Sequence, residues 1–262
     1  MSMSINQHFS PCRLLQFALP SIIMMMFMSL YTIVDGIFIS RFIGSNALSS
    51  LNIVFPVICI VTAIGTMLAT GGNAIISKYL GEGKRRKAQE CLTMFVVIGV
   101  AVSIVVLIFT HLFLTPVCYF LGSNEVLLAD CEKYLATAIS FAPACMLQSL
   151  FQSYLVTAEK PHLGLFLTIG AGILNAFLDY FLIAVCRLGM TGAALATGIG
   201  QTVPALAGLL FFLSNKKGLR LVRFHFHPKE LLMACYNGSS EMVTQLANAI
   251  ITFLFNIVMM EL

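Results

Sequence analysis

Seven long apolar runs occupy most of the chain, at roughly 14–40, 51–77, 91–113, 134–157, 162–186, 190–213 and 231–260. Polar and charged residues gather in the short stretches between them. A bilayer crossing needs about 20 mostly apolar residues in helical form. Each run meets that length and far exceeds a barrel strand, so the pattern predicts an all-α, polytopic membrane helix bundle and excludes a β-barrel. The first six runs follow one another closely and predict a six-helix lobe over 1–213. The stretch 214–229 reads as a basic linker, and 230–262 as a seventh helix opening a second lobe. Run 7 is still apolar at Val258, Met259 and Met260, the pattern of a truncated product. The segment from Leu114 to Lys133, carrying Glu125, Asp130 and Glu132, reads as an acidic outside loop. Prolines 20, 56, 143 and 204 fall inside runs and predict kinks.

Composition agrees: 59% of the 262 residues are hydrophobic and 10% charged, against about 25% charged in a soluble domain. The placement of charge sets the orientation. With the N-terminus in the cytoplasm, twelve of the fifteen Lys and Arg lie inside and only Arg41, Lys133 and Arg187 outside, as the positive-inside rule requires. These basic loops are topology signals. Without aromatic interleaving or a soluble domain, they argue against nucleic acid as a partner. The eight cysteines include no CxxC pair, and a disulfide framework is not expected. His225 and His227 lack partner ligands, and no Ser/His/Asp or Cys/His constellation points to an enzyme. No cofactor or structural metal is expected.

The chemistry lies in the acids within the runs. Asp35 is the sole charge between Arg13 and Arg41, and such a residue costs about 2.5–3.5 kcal/mol on insertion scales. Asp179 is embedded likewise in run 5. Asp35 precedes Arg41 by six residues and Asp179 precedes Arg187 by eight. At the helical rise both acids lie about 9–12 Å below the outer boundary. Run 6 returns inward from Met190 and brings Thr197 to the same level. Spacings of four add Tyr31 to the face of Asp35, Asn175 to that of Asp179 and Gln201 to that of Thr197. Carboxylates, an amide and hydroxyls at one depth suit a hard cation or a transferable proton. Burial and a second carboxylate both favour the proton-bound form of an acid, which coupling to a gradient requires. Asp35, Asn175, Asp179 and Thr197 are therefore the expected coupling site, for H+ or Na+. Tyr31, Gln201 and Glu241, the acid of run 7, are expected as supporting polar groups. Glu82, Glu90, Glu159 and Glu230 are expected to be solvated. Gly192, Ala196 and Gly200 form a small-residue stripe for close packing.

The stretches ALPSIIMMM and YTIVDGIFISRFIG in run 1, ISKYLGEGK after run 2, VTAEKPHLG between runs 4 and 5, LNAFLDYFLI in run 5 and GMTGAALATGIGQ in run 6 occur together and in order. In these the chain resembles the multidrug and toxic compound extrusion (MATE) family of cation-coupled antiporters. The resemblance implies two six-helix lobes around a central cavity that opens alternately to either side, of which this chain has the N-terminal lobe and the first helix of the second. It implies a prokaryotic inner-membrane pump that exports cationic, amphipathic drug-like compounds in exchange for H+ or Na+, with a missing C-terminal half or a second copy as partner. In one branch of the family the helix 1 Asp matches Asp35, the helix 1 Tyr Tyr31, the helix 5 Asn-x-x-x-Asp Asn175 and Asp179, and the helix 6 Thr Thr197. The alternatives are a flippase for lipid-linked oligosaccharide from the same superfamily and a non-transporting fragment that assembles with another chain. A flippase should carry cations inside its cavity, whereas these runs hold acids and no Lys or Arg within them. A seven-helix receptor would place the N-terminus outside, against the charge asymmetry.

Overall fold

The computed structural model describes residues 11–215 and 218–261. All regular structure there is helical: α1 (Pro11–Phe42), α2 (Ser45–Gly81), α3 (Arg85–Leu112), α4 (Leu114–Phe120), α5 (Glu125–Ser140), α6 (Ala142–Thr157), α7 (Pro161–Asp179), α8 (Gly189–Ser214) and α9 (Pro228–Glu261). Beyond Asp179, α7 continues as a π-helical turn over Tyr180–Val185. Helices α2, α3, α7 with its π turn, and α8 are each long and apolar enough to cross a bilayer. Helices α5 and α6 together make a further passage, bent by 51°. At 32 and 34 residues, α1 and α9 exceed the roughly 20 that a crossing needs.

The surface suits a lipid surrounding. Leu19, Ile22, Met26, Leu30, Ile33 and Ile37 of α1 are exposed, an apolar stripe at helical spacing that water would not tolerate. The opposite side of α1 carries Met24, Asp35 and Ile39 inward. With lipid outside, burial of apolar area gives little drive, and close packing and polar contacts hold the helices together. One packed cluster joins α2, α3, α6 and α8 through Leu68, Leu92, Phe95, Phe151, Tyr154 and Phe212. Within it the Tyr154 hydroxyl donates to the Leu68 carbonyl at 3.0 Å. A second cluster joins α1, α2, α5 and α8 through Ile39, Val54, Leu135 and Ala193.

The segment 114–133 is not a loop. It contains α4 and the first half of α5, tied by the Thr115 hydroxyl donating to the Glu132 carboxylate. Gly122, at φ 96°, turns the chain. Asn124 then caps α5, its Oδ1 accepting from Leu127 N at 3.0 Å, with Glu125 in the first turn. Capping and dipole complementarity thus start a helix where the charges alone suggest a loop. The fourth passage consequently begins before residue 134. It breaks at Phe141 because Pro143 lacks the N–H that would bond back to Ile139 and is suited instead to opening α6.

Three close approaches fix the packing. Gly71 of α2 and Gly238 of α9 let these helices meet backbone to backbone, since a Cβ at either would collide with the facing carbonyl at Ala234 or Met67. Gly198 of α8 receives the Phe141 ring at the bend.

Of the predicted linker, the described residues 218–227 fold against α3. Gln89 Nε2 donates to the Gly218 carbonyl at 2.9 Å, and Val222 N donates to Thr93 Oγ1 at 2.9 Å. Glu230, expected in solvent, is 12% exposed and pairs with Lys87 Nζ at 2.8 Å, while the Tyr79 hydroxyl donates to it at 3.0 Å. Glu90 is likewise engaged, at 3.3 Å from His227 Nε2. Sequence spacing did not show these contacts because the strap folds back onto α3 from more than a hundred residues away.

Two predictions follow from this packing. Gly198→Ala should destabilise the protein by about 1–3 kcal/mol through overlap with Phe141, and Gly198→Ala/Phe141→Ala should recover part of the loss in detergent melting curves. The Lys87 ammonium holds the Glu230 carboxyl down at about 2. A depressed carboxylate contributes stability that is complete above its unfolded pKa of about 4.3 and is lost as pH falls through about 2. Lys87→Met should remove this acid-side loss, seen as a flatter dependence of melting temperature on pH across that window.

Candidate functional site

Helix α1 packs along α7, and α7 along α8. The small-residue stripe makes the second contact close: a Cβ at Gly200 would lie 3.2 Å from Asn175 Cβ, and one at Gly192 3.1 Å from the Leu182 carbonyl oxygen. That carbonyl belongs to the π turn, where Cys186 N reaches back to Phe181 O at 2.9 Å. Wide turns of this kind recur at functional sites, and this one begins immediately after Asp179.

The packing brings Asp35 of α1 and Asp179 of α7 together. Asp179 is fully buried, Asp35 is 9% exposed and Asn175 3%. The two carboxyl groups come within side-chain hydrogen-bonding range of each other. Among the described residues, Asp35 Oδ1, both oxygens of Asp179, Asn175 Nδ2 and Thr197 Oγ1 are buried with no hydrogen-bond partner. Buried polar atoms are nearly always satisfied. Two carboxylates can satisfy each other only through a proton held between them or a cation bound by both.

Two voids adjoin the pair. A cavity of about 300 Å³ between α2, α5 and α8 has Asp35, Thr197, Gln201 and Gln245 among polar groups in an otherwise largely apolar wall that includes Leu51, Phe55 and Ile58. Behind α8, a void of about 20 Å³ is lined by Gln148, Thr168, Asn175, Thr197 and Gln201, room for about one water or a small ion. Thr197 and Gln201 line both. Asp35 thus faces the cavity, Asn175 the small void, and Asp179 lies behind Asp35 out of contact with either.

Of the residues singled out by sequence, Asp35, Asn175, Asp179, Thr197 and Gln201 are gathered here. The side chain of Tyr31 lies outside the described residues. Glu241 is exposed on α9 and is not among the residues lining the cavity. Gln245, one turn further on, does. Sequence reading passed over Gln245, Thr168 and Gln148. Thr168 precedes Asn175 by seven residues, two helical turns on the same face, a spacing that could have found it. Gln245 follows Glu241 by four, but nothing in the chain says which turn of α9 meets the cavity.

Residues 20–181 match the family model described as MatE. The multidrug export protein MepA of Staphylococcus aureus (strain N315) is 26% identical over 202 residues, covering 77% of this chain and 45% of that protein. An outward-facing multidrug resistance MATE family transporter of the MOP superfamily superposes with a TM-score of 0.83 at 18% identity, over 91% of this chain and 53% of that one. A MATE structure in complex with MaD3S gives 0.84 at 18% identity, over 91% and 54%. The chain spans about half the length of the curated relatives it matches.

The unpaired carboxyls carry a consequence for stability. Asp179→Asn would remove one negative charge and offer an N–H to Asp35. In the absence of Na+ and at alkaline pH it should stabilise the detergent-solubilised chain by about 1–3 kcal/mol. A lowered melting temperature would mean that Asp179 already has a partner.

Proposed function

Because the chain belongs to the MatE family, we propose that it forms the drug- and ion-binding half of a secondary multidrug efflux transporter, exporting cationic amphipathic compounds in exchange for H+ or Na+. The observation that carries this reading is the buried, unsatisfied pair of carboxyls from two helices, of which Asp35 lies at the wall of a cavity. Asp35 and Asp179 hold the coupling ion between them. Asn175 and Thr197 supply neutral oxygen ligands or hydrogen bonds from the adjoining void, with Gln201 and Tyr31 in support. Binding one cation removes the repulsion between the carboxyls and lets α1 draw closer to α7. Loss of the ion separates them. Since Asp35 also faces the cavity, a shift of α1 changes the wall against which cargo rests. Alternating access would then follow from the differential stability of two packings of α1, biased by the ion.

The lining supports cationic cargo. It is mostly apolar and carries the Asp35 carboxyl, with no Lys or Arg among the described lining residues, whereas an oligosaccharide diphosphate would call for cations. The inner membrane of a bacterial cell is the proposed location. A second lobe, a C-terminal half or a second copy, would close the cavity from the opposite side.

Transport in proteoliposomes tests the proposal, with H+ and Na+ gradients imposed separately and ethidium as cargo. One gradient should drive efflux, and Asp35→Asn should reduce the rate at least about tenfold while leaving the protein folded. Efflux by Asp35→Asn at the unsubstituted rate would overturn the coupling role.

A further inference from the structure

The strap between α8 and α9 borders an open surface groove with the first turns of α3, away from the paired aspartates, and its arginines are exposed. It measures about 570 Å³ and is lined by Arg85, Arg86 and Glu90 from α3 and by Arg220, Arg223 and His225 from the strap. Among the described lining residues, four guanidinium groups therefore share one groove with a single carboxylate. That carboxylate is already engaged, Glu90 Oε1 at 3.4 Å from Arg86 Nε and Oε2 at 3.3 Å from His227 Nε2.

Beside the Lys87–Glu230 and Glu90–His227 contacts, neutral hydrogen bonds hold the strap here: Gln89 Nε2 to the Gly218 carbonyl, Val222 N to Thr93 Oγ1, and Leu221 N to the Phe212 carbonyl at 3.0 Å. They fasten Arg220 and Arg223 opposite Arg85 and Arg86 in spite of like-charge repulsion. A topology signal needs only basic residues on one side of the membrane and not their convergence on one groove. The N-terminus of α3 adds to the positive field, since Lys84 provides no side-chain cap for its first N–H groups. Guanidinium forks match the tetrahedral oxygens of phosphate and bind them in pairs. Along the extended strap, exposed Phe224 and Phe226 alternate with Arg223 and His225, and aromatic side chains favour the membrane–water boundary.

We propose that this groove binds a phosphate-bearing anion, held between the arginines of α3 and those of the strap. The sources are the headgroup of an anionic phospholipid in the adjoining leaflet and a soluble phosphate compound. Either would neutralise the convergent charge and brace the strap that joins α8 to α9.

The chain in neutral detergent, titrated with short-chain phosphatidylglycerol and separately with inorganic pyrophosphate, tests this by direct binding. Arg220→Gln/Arg223→Gln should weaken binding about tenfold or more, as expected for loss of charge-assisted hydrogen bonds. Arg86→Gln, which leaves the strap untouched, should weaken it in the same direction. Arg41→Gln/Lys133→Gln, an equal charge change at the other face, should leave it unaltered. Preference for the phospholipid identifies a lipid site, and equal or tighter binding of pyrophosphate a soluble-anion site. The proposal fails if neither probe binds with a Kd below about 1 mM, or if the strap variant binds as tightly as the unsubstituted chain.

Discussion

A carboxylate held away from water must be neutralised, and in this bundle two of them neutralise nothing in each other. Asp35 and Asp179 meet inside the helix packing with three of their oxygens unpartnered among the described residues. In a medium of low dielectric, like charges at such proximity are not sustainable without a proton or a cation between them. The rest of the architecture can be understood as a means of creating that contact and keeping it within reach of a cavity.

The bundle achieves this with small residues and an interrupted helix. Gly192 and Gly200 let α8 close on α7 and place Thr197 beside Asn175. The π turn after Asp179 widens the helix where α8 presses on the Leu182 carbonyl. Helix α1 gives its apolar stripe to lipid and only a narrow inward edge to the bundle. An element held on one side alone is suited to shift when the charge at that edge changes. By contrast, α2 and α9 lock backbone to backbone at Gly71 and Gly238, and the strap before α9 is tied to α3.

Much of this was legible in the sequence, for a definite reason. Period and span length fixed the passages, and the distance of each polar residue from the charged end of its run fixed depth. Depth and helical face sufficed to bring together Asp35, Asn175, Asp179 and Thr197, and the stripe 192–196–200 named the face of α8 that meets α7. What depth cannot supply is azimuth between helices that are distant in sequence. Nor does the chain say which turn of a distant helix reaches the cavity: Glu241 and Gln245 share a face of α9 four residues apart, and it is Gln245 that lines the cavity. Nor did composition reveal α4 and the early start of α5, where the Asn124 cap outweighs an acidic, loop-like run. The ion pair of Glu230 with Lys87 escaped notice because it depends on the path of the strap.

The central claim is that Asp35 and Asp179 are one ion-exchanging unit. Infrared difference spectroscopy of the carboxyl bands, recorded as Na+ or protons are exchanged in lipid, addresses it directly. Two aspartate signals should change together, and Asp35→Asn should displace the remaining signal of Asp179 as well as remove its own. If the Asp179 signal is unaltered by loss of Asp35, or neither band responds to the ions, the two acids act separately and the account is contradicted.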